Sequence, residues 1–407
     1  MQCVGERVVE QPLWRVPLTH SLRLAVSGTH SVSLLAEWLA KGLVAPAVAL
    51  RVWTAVHTTL LTRSDRHYHE YYSLGFVPVD VSDSSASITL EHAYTDAALV
   101  RAFEVAGLPP VHRHAKAQNS WRRLWSEERG LLLAALREGG HDEIGADRVN
   151  GGFEEGSALG HLFAVRHDFR GLAGLFGAAP EVLAACSMDR PCEERVPEFK
   201  AALDAWFAGG HWRPWIDVGG ADGPGLTETA PASPCGQLSD LSHCIGQYVH
   251  SNEPAQHAPY LYSVAGYPEE TCRVVRDIVR RFYSAEPDGL PGNDDAGALS
   301  AWLLFAGLGL FPVNPASGVY VLGCPVAGNM TLGGIRSRMI FSAGLKPGGE
   351  EAAGSPSASG RLLRYWWNGV RLRRAFLEHA ELVAGGELVV EEYDGSSAGD
   401  DDAPLPL

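Results

Sequence analysis

The chain lacks any Lys/Arg-rich block. Its 33 Lys and Arg stand against 48 Asp and Glu, a formal charge of −15 over 407 residues. Such a surface repels phosphate, so nucleic acid and anionic membrane surfaces are excluded as expected partners. Apolar runs such as Ala301 to Phe311 fall well short of the ~20 residues a spanning helix needs, and no membrane span is expected. Met1 to Arg7 hold neither a basic n-region nor an apolar stretch leading to a cleavage site, so no signal peptide is read there. Seven Cys occur at irregular spacings, without a CxxC or a zinc-ribbon pattern, and an odd count leaves at least one thiol without an intramolecular partner. A disulfide framework is not expected from this spacing, although Cys186 with Cys192 or Cys235 stays open as a pair if the chain is secreted. No repeat of fixed period is present.

What remains is ordinary soluble material, 46% hydrophobic and 20% charged, with room for roughly two to three domains and a sizeable core. Residues 31 to 310 carry mainly helical periodicity. From Pro268 to Tyr283, the apolar Val274, Val275, Ile278, Val279 and Phe282 recur at three- and four-residue steps. Arg273, Arg276, Asp277, Arg280 and Arg281 take the other face, which predicts one amphipathic helix with a solvated arginine side. Similar patterns predict helices over 33–43, 47–60, 87–105, 196–207 and 295–307. Beyond Pro312 the runs 319–322, 339–341, 364–367 and 388–390 read as short strands. The expected layout is a mainly α domain over 1–312, a small β appendage over 313–393 and a disordered acidic tail over 394–407. Residues 219–234 and 344–360 read as loops by composition, the first as an insertion. A single sequon, Asn329-Met330-Thr331, would be a glycan acceptor in a secretory protein, but one such triplet arises readily by chance.

Three segments gather residue types that carry chemistry. Gly289-Leu290-Pro291-Gly292-Asn293-Asp294-Asp295-Ala296-Gly297 sets acids directly before an apolar helix, and Gly151-Gly152-Phe153-Glu154-Glu155-Gly156-Ser157-Ala158 does the same before an apolar stretch. Helix capping alone accounts for either, because carboxylates are favoured at a helix N-terminus. The third, His250-Ser251-Asn252-Glu253-Pro254 continuing to Tyr262, sets hard oxygen donors beside imidazoles and aromatic rings, a mixture suited to Ca²⁺ and a sugar face. Two separated carboxylates plus an oxygen-donor cluster match what glycosidic bond cleavage needs: an acid for the leaving oxygen and a base for water. His67 with His69 and His112 with His114, which lack a third ligand at a metal-site spacing, read as surface or loop features. Trp121, Trp125, Trp302, Trp366 and Trp367 read mostly as packing aromatics.

Taken in order, these segments resemble the calcium-dependent exo-α-mannosidases of glycoside hydrolase family 92. The resemblance rests on Gly246-Gln247-Tyr248-Val249-His250-Ser251-Asn252-Glu253-Pro254, on Pro287-Asp288 through Trp302, and on Gly309-Leu310-Phe311-Pro312-Val313-Asn314-Pro315. Tyr72 to Pro78, Ser87 to Ala93, Phe153 to Ala158 and His167-Asp168 fall upstream in the family's order, and the similar stretch spans about residues 28 to 390. It implies a mainly α, (α/α)6 six-hairpin toroid whose loops form the site. It further implies inverting hydrolysis of terminal α-mannosides of glycans, N-glycans included, by α-1,2 or related linkage. Glu155 would then be the acid, Asp295 the base, and Asn252 with Glu253 the ligands of Ca²⁺, while His250, Ser251, His257, Asn293 and Asp294 would bind the sugar. Family members are usually secreted or periplasmic.

The departures are specific. Leu159-Gly160-His161 stands where the family often has Trp-Gln-Tyr, Ile88 replaces a usual lysine, and Ser251 replaces an acid of some α-1,2-specific members. An insertion of about 186–234 separates Glu155 from Glu253. Set against the family, this chain begins near Trp14, well inside the toroid, so the family's N-terminal β-sandwich domain and first toroid helices are expected to be missing from it, with oligomerisation as a consequence. The alternative expectation is an impaired homologue that binds carbohydrate or assembles with another chain.

Overall fold

The structure is a computed structural model that describes residues 30–45, 47–48, 51, 67–109, 111–143, 148–210, 242–341 and 361–394. Most of the helix expected over 47–60, the loops expected over 219–234 and 344–360, the tail past 394, Cys3 and Cys235 lie outside the described residues.

Helices dominate, with small β-sheets. The principal ones are α1 (His30–Ala40), α2 (Tyr68–Leu74), α3 (Ser85–Val105), α4 (His112–Ala117), α5 (Phe169–Leu175), α6 (Pro197–Phe207), α7 (Pro268–Phe282) and α8 (Ala298–Leu308). Local chemistry sets several of their ends. Asp168 caps α5 by accepting a hydrogen bond from Gly171 N at 2.8 Å. In α7, Pro268 opens the first turn, Glu269 and Glu270 follow it, and Arg280 and Arg281 close the last, an order that complements the helix dipole at both ends.

The chain divides into two compact units. The first takes the described parts of Met1–His167, Ala202–Ala255 and Asn314–Gly318. Here Ala36 of α1, Ala98 and Ala102 of α3, and Ala316 form a small-residue seam that lets backbones approach closely. Helix α3 is buried on nearly all sides, so its polar residues need partners. Asp96 accepts from Tyr71 Oη at 2.9 Å and Tyr72 Oη at 3.0 Å, and also pairs with His114 Nδ1. Glu91 pairs with Arg166. His114 is thus a fully buried partner of Asp96 and not the surface feature expected of it, because the helix α4 turns that side chain inward against α3. Two hairpins complete the described part of the unit: β1 (Trp125–Ser126) with β2 (Leu131–Leu132), and β3 (Cys244–Ile245) with β4 (Tyr248–Val249).

The second unit takes the described parts of Asp168–Ala201, Gln256–Val313 and Val319–Leu407. One sheet orders β11 (Phe376–Glu378), β6 (Val319–Leu322) and β5 (Leu310–Phe311). The other orders β10 (Val370–Leu372), β9 (Arg361–Trp367), β12 (Gly386–Asp394), β8 (Ile335–Phe341) and β7 (Asn329–Leu332). Strand β12 runs antiparallel to β9 and parallel to β8. Leu308, Leu310, Leu322, Tyr365, Trp367, Leu388 and Val390 form the core of this unit. The arginine face of α7 is not simply solvated: Arg276 donates to Glu392 of β12 at 2.9 Å, because α7 packs against the sheet along that side.

Against the expectation of no disulfide framework, this unit holds two disulfides among its described residues, one of them the Cys186–Cys192 pair that the sequence left open. Cys272 at the start of α7 is bonded to Cys324 just after β6, with 5.2 Å between their Cα atoms. Cys186 is bonded to Cys192, and Cys244 is disulfide-bonded as well. Pairing over a separation of 52 residues is created by the close approach of Thr271, at the start of α7, to Gly323, just after β6, and spacing alone carries no trace of it.

Candidate active site

The loop carrying Glu155 is held open by its backbone. Asn150, Gly152 and Glu155 all adopt the left-handed conformation, with φ of 62°, 86° and 47°. Their turns are tied down on both sides. Gly152 O accepts from Ala86 N at 2.8 Å, Asn150 N donates to Gly156 O at 2.8 Å, and Glu154 N donates to Ser87 Oγ at 2.9 Å. The two adjacent acids therefore part company: the Glu154 carboxylate is occupied by Ser84 Oγ, while Glu155 lines a cavity.

Hairpin β3–β4 supplies the other wall in this unit. Its turn residue Gly246, at φ 61°, sits where an added Cβ would lie 2.4 Å from both Gly209 N and Phe207 O, so only glycine fits against the end of α6. Gln247 fixes the docking, its N–H donating to Trp206 O at 3.0 Å and Nε2 to Gly209 O at 2.9 Å. The chain leaving β4 then brings Asn252 to the acid loop, where Asn252 Nδ2 donates to Glu155 O at 2.7 Å. A cavity of about 10 Å³, room for one water, is lined by Glu155, Gly156, His161, Asn252 and Pro254 among others. Beside the same loop opens a larger one of about 330 Å³, lined in part by Asp83, Asp142, Arg148 and Asn150, groups suited to hydroxyl-rich ligands.

Other residues named from sequence take supporting positions. His250 is fully buried, 2.6 Å from Tyr248 Oη through Nδ1, and burial together with the His243 charge pushes it down to about 3. Ser251 Oγ donates to Ser242 O at 2.9 Å and holds the segment leading into β3. His161, passed over in the sequence except as a departure, packs on Gly156 and Phe153. Burial pushes it down to about 4, so the ring is neutral, and since Ser157 O can only accept, Nδ1 donates to it at 3.1 Å. Its Nε2 is buried and has no hydrogen-bond partner among the described residues. The signal that could have found it is the pairing of a glycine with an imidazole in place of bulkier residues.

In the second unit the helix expected from Asp295 begins only at Ala298. Asp295–Gly297 is a 3-10 turn in which Ala296 and Gly297 are left-handed, with φ of 53° and 82°. Asp294 anchors that turn, accepting from Ser300 N at 2.9 Å and Ser300 Oγ at 2.5 Å, and these bonds hold its carboxyl below the usual carboxylate range. Asp295 and Asn293 are exposed on either side of the anchor. Behind them Tyr283 stacks on Trp302 at 6.0 Å, and burial with the Asp294 charge pushes the Tyr283 phenol up. Trp302 Nε1 donates to Gln256 O at 3.0 Å, next to the buried His257.

Among the described residues no group of three or more His, Cys, Asp and Glu is placed to hold a metal ion. The donors at hand still fit a hard cation. Asn252 has its nitrogen committed to Glu155 O, which leaves Oδ1 as an oxygen ligand, and the next residue in the chain, Glu253, is a partly buried acid. Ca²⁺ takes roughly six to eight oxygens, so these two would need carbonyls, waters or sugar hydroxyls to complete the set.

Residues 10–392 match the catalytic domain of glycosyl hydrolase family 92. A family GH92 α-mannosidase of Bacteroides thetaiotaomicron, solved with mannoimidazole, superposes with a TM-score of 0.70 at 25% identity, covering 94% of this chain and 46% of that one. A family GH92 inverting mannosidase of the same organism gives 0.68 at 25% identity, covering 97% of this chain and 49% of the other. An uncharacterized secreted glycosidase of Arthroderma benhamiae is 38% identical over 71 residues, 17% of this chain and 9% of that protein. The chain thus spans about half the length of the solved proteins it matches. It belongs to glycosyl hydrolase family 92.

Proposed function

We propose that this member of family 92 is an inverting, calcium-dependent exo-α-mannosidase acting on terminal α-mannosides of glycans, with α-1,2 or a related linkage, and that its helices form part of an (α/α)6 toroid. Glu155 protonates the glycosidic oxygen as the bond from C1 breaks, and Asp295 takes a proton from the water that bonds to C1 from the opposite side. Asn252 and Glu253 would hold Ca²⁺, which supplies hard positive charge to neighbouring sugar hydroxyls when bound. His250, Ser251, His257, Asn293 and Asp294 shape and hold the sugar-binding segments. The observation that carries the reading is the Glu155 loop: one acid of the pair is hydrogen-bonded by Ser84 while its neighbour lines a cavity beside Asn252.

The test is leaving-group dependence. Glu155→Gln should lose activity severely on mannobiose and far less on aryl mannosides, whose leaving groups need little protonation. Equal losses on both substrates would remove Glu155 from the acid role. Mannose-analogue binding without any turnover in the unsubstituted chain would point to a carbohydrate-binding homologue.

A further inference from the structure

We infer that Asn329 is an N-glycan acceptor and that its glycan caps the open edge of the five-stranded sheet in the second unit. The triplet Asn329-Met330-Thr331 opens β7, whose side chains alternate between faces. Met330 points inward, packing on the core beside Gly307, where an added Cβ would lie 2.6 Å from its sulfur. Asn329 and Thr331, two residues apart, must therefore share the opposite face, and both are exposed. Just before them Ala327 and Gly328 are exposed as well, with Gly328 in a left-handed turn at φ 69°, so the folded chain leaves room for a glycan on the acceptor.

Two further observations point the same way. Among the described residues β7 pairs only with β8, leaving its outer row of backbone groups without a strand partner. Its residues, Asn-Met-Thr-Leu, include none of the Lys or Pro that commonly guard an edge, and Leu332 is 44% exposed. A bulky hydrophilic glycan on this strand would block pairing with another chain. The disulfides Cys186–Cys192 and Cys272–Cys324 belong to an oxidising compartment, which is also where N-glycans are transferred. In the transfer, Asn329 Nδ2 bonds to the anomeric carbon of an oligosaccharide carried on a lipid diphosphate. The bond from that carbon to phosphate oxygen breaks, Nδ2 gives up a proton, the lipid diphosphate leaves, and nothing is oxidised or reduced. None of this depends on the mannosidase reading.

The full chain, directed by an added leader into the secretory pathway of a yeast, should carry hexose-rich glycan on the tryptic peptide between Arg281 and Arg336. An amide-cleaving glycosidase should convert Asn329 to aspartate in that peptide. Thr331→Ala, which keeps the asparagine, should leave it unmodified, and because transfer precedes folding the variant reports on the acceptor even if it folds poorly. Recovery of mainly unmodified Asn329 from the secreted unsubstituted chain overturns the proposal. The capping role is read from Asn329→Gln, expected to form larger species than the glycosylated chain in light scattering. A variant of the same size distribution would overturn that role.

Discussion

Gly156 and His161 form a single packing arrangement next to the proposed acid. A Cβ on Gly156 would lie 2.4 Å from His161 Cε1 and 2.8 Å from Nδ1, too close without displacement of the buried ring. The backbone at Gly156 is not left-handed, so the penalty of alanine there is steric. Gly156→Ala should destabilise the fold by about 1–3 kcal/mol, the usual range for overpacking. In a His161→Ala background the same change should be much cheaper, since the ring it strikes is gone, and urea unfolding of the four variants measures that coupling. Identical losses in both backgrounds would place the strain elsewhere. His161 also has a pH signature. Its ordinary value is 6.5 and burial brings it to about 4, so between those values the unfolded chain binds the extra proton. The contribution is intact above pH 6.5 and is lost as pH falls toward 4, by roughly 3 kcal/mol. His161→Gln should make the fall in stability across that window shallower, with His250, pushed down to about 3, keeping its own share, and an unchanged slope would reject the assignment.

At the scale of elements, the two described disulfides close loops of very different length. Cys272–Cys324 spans 52 residues and Cys186–Cys192 spans 6. Loop entropy gives about 4 kcal/mol for the first and about 2 kcal/mol for the second. Replacing Cys272 and Cys324 together by Ala should therefore lower unfolding free energy about twice as much as replacing Cys186 and Cys192. The reverse order in denaturant titrations would show that native packing, not chain entropy, dominates. Elements built from local pattern were the legible part of this chain. The apolar stripe Val274, Val275, Ile278 marks α7, and the four strand runs after Val319 lie within β6, β8, β9 and β12. What pattern missed was created by packing between distant segments: the Cys272–Cys324 bond, the inward turn of His114 onto Asp96, and the pairing of Arg276 with Glu392. The site shows the same division. Glu155 and Asn252 stood out by residue type, but the hydrogen bond joining them crosses 97 positions and depends on the docking of the β3–β4 turn against α6. The helix expected from Asp295 was shortened by Gly297, whose left-handed φ of 82° favours a break that periodicity does not register.

For the molecule as a whole, the formal charge of −15 acts against the effect of His161 as pH changes. Excess negative charge repels itself and weakens the compact state, and this repulsion acts over a Debye length of about 10 Å at 0.1 M salt but only about 3 Å at 1 M. Protonation of the 16 His other than the buried His161 and His250 would move the charge from −15 to −15 + 14 = −1, so acidification to the pI of about 5.5 relieves most of the repulsion. Over the same range the buried His161 loses its contribution, and salt screens that loss poorly because the ring is out of solvent. Two consequences separate the effects. At pH 8, raising NaCl from about 20 mM to about 0.5 M should increase the melting temperature by a few degrees, while at pH 5.5 the same addition should change it much less. In high salt, stability should then fall steadily from pH 6.5 toward 4, whereas in low salt its maximum should shift to lower pH, where charge relief offsets the histidine. Differential scanning fluorimetry over a grid of pH and NaCl reads both trends. A melting temperature at pH 8 that does not respond to NaCl would show that the acidic residues are spaced widely enough for their repulsion to be negligible.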